Sequence, residues 1–156
     1  MIRSEQEYQE AVARLREDAE FAQQQRAAFV AAGLTPEQVE RAIEPTLSFQ
    51  AQLEDEVRWY DRVRRRDFDL VGRLTDIGRL LIALRIANGV TQRELARRLN
   101  VSEAQVSRDE RNEYHNITVE RAQRIIDALE ESVTIGVTDP GVPRVPPRSE
   151  DLVTVP

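Results

Sequence analysis

The sequence predicts an all-α protein: an N-terminal helical hairpin, a compact bundle of four to five short helices, and an extended C-terminal tail. Three observations predict it. Apolar residues recur at steps of three and four along most of the first 132 positions, the period of an amphipathic helix. Helix stop and start signals, a Gly or Asn followed closely by Ser or Thr, punctuate that pattern. The hydrophobic fraction is 40% and the aromatic fraction 5%, which suits narrow helical stripes better than sheet cores.

The first helix starts at Ser4-Glu5-Gln6-Glu7, a capping-box pattern. Tyr8, Val12, Leu15, Ala19, Ala22 and Phe29 form its seam, close to the 3.5-residue repeat of helices packed side by side. Arg26 stands where an apolar residue is due, and Gly33 suits the left-handed position that ends a helix. Thr35-Pro36-Glu37-Gln38 opens the second helix with an N-cap, a proline at the first helical position and a second capping box. With stop and start two residues apart, the two helices run antiparallel. Val39 and Ile43 begin the second apolar face, and Phe49, Leu53, Val57, Tyr60 and Val63 continue it, with Trp59 off the stripe. Pro45 lacks an amide proton and clashes with the preceding turn, so a kink or restart is expected there. The stripes either bury each other and nothing more, or leave an arm for dimerisation or partner binding. Arg62, Arg64, Arg65 and Arg66, near the second helix's C-terminus, read as a solvated helix end interleaved with Asp61 and Asp67, or as auxiliary phosphate contacts.

The next helices are short. One runs from about Thr75, with Ile77, Leu80, Leu81, Leu84 and Ile86 apolar, and ends at Asn88-Gly89. Thr91 caps the second, and Thr91-x-x-Glu94 is a third capping box, with Leu95, Ala96 and Leu99 on the buried side. Asn100 tolerates positive φ, Val101 plugs the turn, and Ser102 caps a helix from Glu103 to about Arg111. A last helix follows Thr118, with Ala122, Ile125, Ile126 and Leu129 inward. Residues 1–70 are thus the hairpin arm, 71–132 the bundle, and 133–156 a short edge strand at Val133–Val137 followed by a tail with Pro140, Pro143, Pro146, Pro147 and Pro156.

Composition excludes several functions. There is no cysteine, so no disulfide scaffold and no thiolate zinc site, and the single histidine, His115, cannot build a metal cluster alone. Paired carboxylates in an apolar setting and glycine-rich phosphate loops are missing from the sequence, so neither an enzyme nor a cofactor is expected. No run reaches the ~20 apolar residues that cross a bilayer, and the N-terminus has no apolar signal segment, so a soluble cytoplasmic protein without membrane contact is expected. All 22 basic residues are Arg. Residues 1–71 hold 10 Arg against 15 Asp and Glu, whereas residues 72–132 hold 10 of each.

The helix Glu103–Arg111 is unusual. Val106 is its only aliphatic beyond the first turn, while Glu103, Gln105, Ser107, Arg108, Asp109 and Arg111 are polar. Such a helix buries one edge and exposes the rest, which suits the major groove of DNA, where base edges offer donors and acceptors. Ala96 is small where the two helices cross, and Leu95, Leu99, Val101 and Val106 form their shared plug.

On these residues, 74–131 resembles the Cro/phage-repressor type of helix-turn-helix, the family of xenobiotic-response-element-like regulators. The likeness rests on Thr91-Gln92-Arg93-Glu94-Leu95-Ala96 and on Val101-Ser102-Glu103-Ala104-Gln105-Val106-Ser107-Arg108-Asp109-Glu110-Arg111. It implies a lambda-repressor-like domain that binds double-stranded DNA as a two-fold homodimer. It places Gln92, next to Arg93, at a phosphate-contacting helix start, and Ser102, Glu103, Ala104 and Gln105 where base edges are read. Ser107, Arg108 and Arg111 lie further along the same helix; Arg108 suits a bidentate contact to guanine, Gln105 adenine and Glu103 cytosine. Asn112 and Asn116 fall in the following loop, within reach of phosphate. Asp109 departs from the aliphatic usual in the family and is expected to face solvent or pair with Arg111 or Arg108. Ile2-Arg3-Ser4-Glu5-Gln6-Glu7-Tyr8, with Ala11 and Leu15, is similar to the opening of HigA-type antitoxins, which implies a toxin partner held through residues 1–66. The expected function is a dimeric repressor that reads the major groove with helix 103–111; the alternative is an antitoxin that also represses its own operon.

Overall fold

The computed structural model describes residues 1–68, 71 and 73–136. Among them are six α-helices and no strand: α1 (Glu5–Ala31), α2 (Pro36–Arg64), α3 (Ile77–Ala87), α4 (Gln92–Leu99), α5 (Glu103–Arg111) and α6 (Val119–Ala128). A 3₁₀ turn over Leu74–Asp76 leads into α3. The bundle therefore has four α-helices.

Local rules explain the helix ends. The Ser4, Thr35, Thr91, Ser102 and Thr118 side chains each accept a hydrogen bond from the backbone amide three residues on. Of these five caps, Thr35 with Gln38 completes a reciprocal capping box, with the Thr35 amide 2.9 Å from Gln38 Oε1. At the first helix, Glu7 instead accepts from the Arg3 amide at 2.7 Å. At α4, Glu94 turns away to Arg97 and Arg98. Gly33, at φ +83, follows the last turn of α1, and Gly89, at φ +64, follows α3.

The hairpin packs as a seam, with two corrections. α2 does not restart at Pro45; it runs through it. The carbonyl deprived of a partner belongs to Arg41, and both residues are exposed, so water can satisfy it. Phe49 is not on the inner face either: it is 76% exposed. The inward register passes through Thr46 and Gln50, and the Thr46 hydroxyl donates to Gln25 Oε1 at 3.3 Å across the seam. Arg26, the odd residue of the α1 seam, pairs with Glu40 at 2.8 Å.

The base of the hairpin shares one core with the bundle. Ile2, Ala11, Tyr60 and Val63 belong to the same buried cluster as Leu81, Ile82, Leu84, Leu95, Val106, Ile125 and Leu129. Tyr8 stacks on Tyr60 with ring centroids 4.9 Å apart, and its hydroxyl donates to Asp61 at 3.0 Å. That bond, then burial, raises the Tyr8 pKa.

The arginine cluster at the end of α2 is engaged within the fold. Arg62 pairs with Asp67, Arg64 with Glu5, and Arg66 with Glu131 and Asn88. The Arg66 and Asn88 hydrogen bonds lower the Glu131 pKa. Arg66 ties the hairpin to the bundle, while the Arg62 and Arg64 pairs lie within the hairpin; all three favour the structural reading of the cluster.

Residues 133–136 are not a strand, because no described residue offers an edge for them to pair with; Val133 and Ile135 are exposed. Val137 and the proline-rich segment lie outside the described residues.

Candidate nucleic-acid interface

α4 and α5 are joined by a three-residue turn. Asn100 takes the left-handed conformation at φ 56, ψ 46, and the Val101 amide reaches back to the Ala96 carbonyl at 3.0 Å. Ser102 then caps α5 through the Gln105 amide at 3.1 Å. Leu95, Ala96 and Val106 are buried between the two helices and Leu99 is half-buried. Val101 differs from expectation: at 38% exposed it roofs the turn rather than filling it.

A buried ion pair sets how α5 sits on the bundle. Arg85 of α3 is 3% exposed and Glu110 of α5 is 1% exposed. Arg85 Nη2 donates to Glu110 Oε2 at 2.7 Å and also to the Arg3 carbonyl at 2.8 Å. Its Nε donates to Glu110 Oε1 and its Nη1 to the Val90 carbonyl. Gln92 Nε2 completes the cluster by donating to Glu110 Oε2 at 2.7 Å. Sequence reasoning missed both charged members. The signal was present: Arg85 interrupts the buried run from Leu81 to Ile86, and Glu110 lies one turn beyond Val106 on the same face. Charges in such positions need partners.

The cluster alters the expectation for Gln92. Its amide nitrogen is committed inward, which leaves the backbone amides and Arg93 as the open donors at the start of α4. Asp109 also differs: it pairs with Arg121 of α6, not with Arg108 or Arg111, and accepts from Gln105 Nε2 at 2.7 Å. A two-bond contact from Gln105 to adenine therefore requires release from Asp109. Glu103 pairs with Arg93 at 3.0 Å across the two helix starts. Both are exposed, so the pair is weak and a phosphate can compete for Arg93.

The outer side of α5 is open. Ser102, Glu103, Ala104, Arg108, Arg111 and Asn112 are exposed, and Ser107 is half-buried. Among the described residues, no carboxylate pairs with Arg108 or Arg111. The open side is therefore cationic toward its C-terminal half.

The loop after α5 is held from beneath. Glu113, Tyr114 and Asn116 all have positive φ. Tyr114 is buried, and burial raises its pKa, aided by the nearby Glu110 charge. Gly78 of α3 lies against this loop so closely that a Cβ there would stand 1.9 Å from the Glu113 carbonyl oxygen. His115 and Asn116 are exposed on the loop. No three His, Cys, Asp or Glu side chains among the described residues are grouped to hold a metal ion.

Two short helices crossing on small and aliphatic residues, the second with its polar side open, define a helix-turn-helix. Comparison with known families agrees: residues 81–135, roughly a third of the chain, match the family model described as helix-turn-helix. That segment is similar to the helix-turn-helix domains of that family, which supports a DNA-binding role. No curated protein and no solved structure matches the chain. The HigA-type resemblance at the N-terminus gains no support, and its residues have a packing role, with Ile2 buried in the shared core and Tyr8 stacked on Tyr60. No helix among the described residues is long and apolar enough to cross a membrane.

Proposed function

We propose that the protein is a sequence-specific DNA-binding transcriptional regulator, a cytoplasmic dimeric repressor without catalytic activity of its own. The observation that carries this reading is the open polar side of α5, with Arg108 unpaired among the described residues and oriented by the buried Arg85–Glu110 pair beneath it. α4 brings its capped N-terminus and Arg93 to a phosphate. α5 enters the major groove, where Arg108 selects guanine and Ser102, Ala104 and Ser107 contact neighbouring edges. Repression is steric, through occupancy of a site that overlaps a promoter.

Dimerisation is supported by a second observation. Leu74, Val119 and Ile135 are exposed around a groove that also contains Arg111 and Asn112, at the C-terminal end of α5. A second copy seated there covers these apolar groups and brings two recognition helices side by side. A separate role in protein binding through residues 1–66 rests on the apolar groups left exposed on the hairpin.

The test is selection of bound DNA from a random pool, followed by titration of the chosen site at two salt concentrations. A two-fold site with half-sites about 10 bp apart, or a multiple, is expected. Affinity should fall roughly 10³-fold between about 50 and 200 mM salt if about six phosphates are contacted. Binding that ignores both sequence and salt overturns the proposal.

A further inference from the structure

The hairpin is longer than the packing of the bundle requires, and its far end is both acidic and partly apolar. Residues 16–56 carry nine carboxylates and three arginines, a net of −6, the same as the formal charge of the whole chain. The rest of the molecule is therefore neutral on balance. Within this acidic stretch Phe21 is 53% exposed and Phe49 76% exposed.

These two rings share one side of the hairpin. The pairings of Tyr8 with Tyr60, Gln25 with Thr46 and Glu5 with Arg64 set the antiparallel register and put Phe21 level with Phe49. Phe21 directly precedes the buried Ala22, and Phe49 directly precedes the half-buried Gln50. In an antiparallel pair, the residue one step before the inward position lies on the same flank of both helices. Glu17 and Asp18 lie one turn before Phe21, and Glu56 lies two turns beyond Phe49. Two cations lie beside them: Arg14, paired with Asp18, and the N-terminal ammonium, 2.9 Å from Glu56.

We infer that the flank carrying Phe21 and Phe49 is a docking surface for a basic, amphipathic protein segment. Two exposed phenylalanines on one flank supply apolar anchors of the kind that dominate protein interfaces. The charge around them selects among occupants. A second copy would bring two arms of net −6 within a Debye length, ~8 Å at physiological salt, and repel. DNA and anionic membrane are repelled for the same reason, so the arm stays clear of the duplex and free for a partner while α5 is engaged. A helix with one apolar face and Lys or Arg on its borders satisfies both the rings and the carboxylates.

The inference stands on a different surface from the DNA-binding reading, and its experiment separates the two. The probe is a labelled 18-residue peptide of Leu and Arg, patterned to give one apolar helical face. Two controls accompany it: the same pattern built from Leu and Glu, and a scrambled Leu/Arg peptide with no apolar face. Binding to the full chain is followed by fluorescence anisotropy at low and high salt. The patterned basic peptide should bind, weaken with salt, and lose at least tenfold in affinity to the F21S/F49S double variant. Both positions are exposed, so that variant should keep its helical circular dichroism and its DNA affinity. The inference is overturned by failure of the basic peptide to bind, by equal binding of the scrambled or acidic peptide, or by an unaffected double variant. It is also overturned if sedimentation shows self-association that F21S/F49S abolishes, since the occupant is then a second copy. Loss of DNA binding with peptide binding intact refutes only the regulator reading.

Discussion

Glu110→Ala should be among the most damaging single changes in this protein, although Glu110 lies on α5, the helix proposed to read DNA. The variant removes the carboxylate that accepts from Arg85 Nε and Nη2 and from Gln92 Nε2. Arg85 is then a 3% exposed cation whose remaining partners are the Val90 and Arg3 carbonyls. Breaking one side of a buried pair costs about 3–5 kcal/mol, because the partner charge stays desolvated. Small domains are stable by only ~5–15 kcal/mol, so at least about a fifth of the total is at stake. Urea unfolding followed by circular dichroism reads this directly. At an m-value of about 2 kcal/mol/M, the midpoint should fall by roughly 2 M. Arg85→Met should cost a similar amount, leaving a buried carboxylate. The R85M/E110L double variant should cost less than either single change, since no charge is then orphaned. An E110A loss under about 1 kcal/mol, or a double variant as damaged as the sum of the singles, refutes the account of the cluster.

Three further outcomes follow from the geometry. Arg108→Ala should leave the melting temperature unchanged, because the side chain is exposed and unpaired among the described residues; affinity for the selected site should drop by ~1–3 kcal/mol and discrimination relax at one base pair, as read by anisotropy on single-substitution duplexes. Gly78→Ala drives a methyl group onto the Glu113 carbonyl, 1.9 Å away, so it should destabilise by about 3 kcal/mol in thermal unfolding and displace the loop resonances at Asn112–Asn116 in NMR; an unchanged melting temperature would show that the loop is not held by that contact. Glu94 is held down to about 2 by hydrogen bonds from Arg97 and Arg98, below its ordinary value of 4.5. Since the folded-state value is depressed, its support to α4 is complete above about pH 4.5 and disappears as pH falls toward 2; carbon NMR of the Glu94 carboxyl should show this midpoint, and R97A/R98A should return it to the ordinary range.

The helix ends of this protein are written in short sequence intervals. Ser4, Thr35, Thr91, Ser102 and Thr118 act on amides three residues away, and that distance is set by helical geometry before any tertiary contact forms. Gly33 and Asn100 end helices for an equally local reason, their tolerance of positive φ. The exposed polar side of α5 was legible as well, because a helix with a single aliphatic row can bury only one edge. Partner choice between helices was not legible. Arg121 takes Asp109, Arg85 takes Glu110, and Gln92 turns inward, because the crossing of α3, α4, α5 and α6 brings together groups from 12 to 25 positions apart. The seam of α2 shows the same division: spacing marked Phe49 as apolar, while packing preferred Thr46 and Gln50 because Gln25 offered the hydroxyl a partner. Spacing along one helix is a property of the chain, whereas which charge meets which depends on how finished helices pack, and in this protein that packing aims α5 outward and leaves Phe21 and Phe49 uncovered.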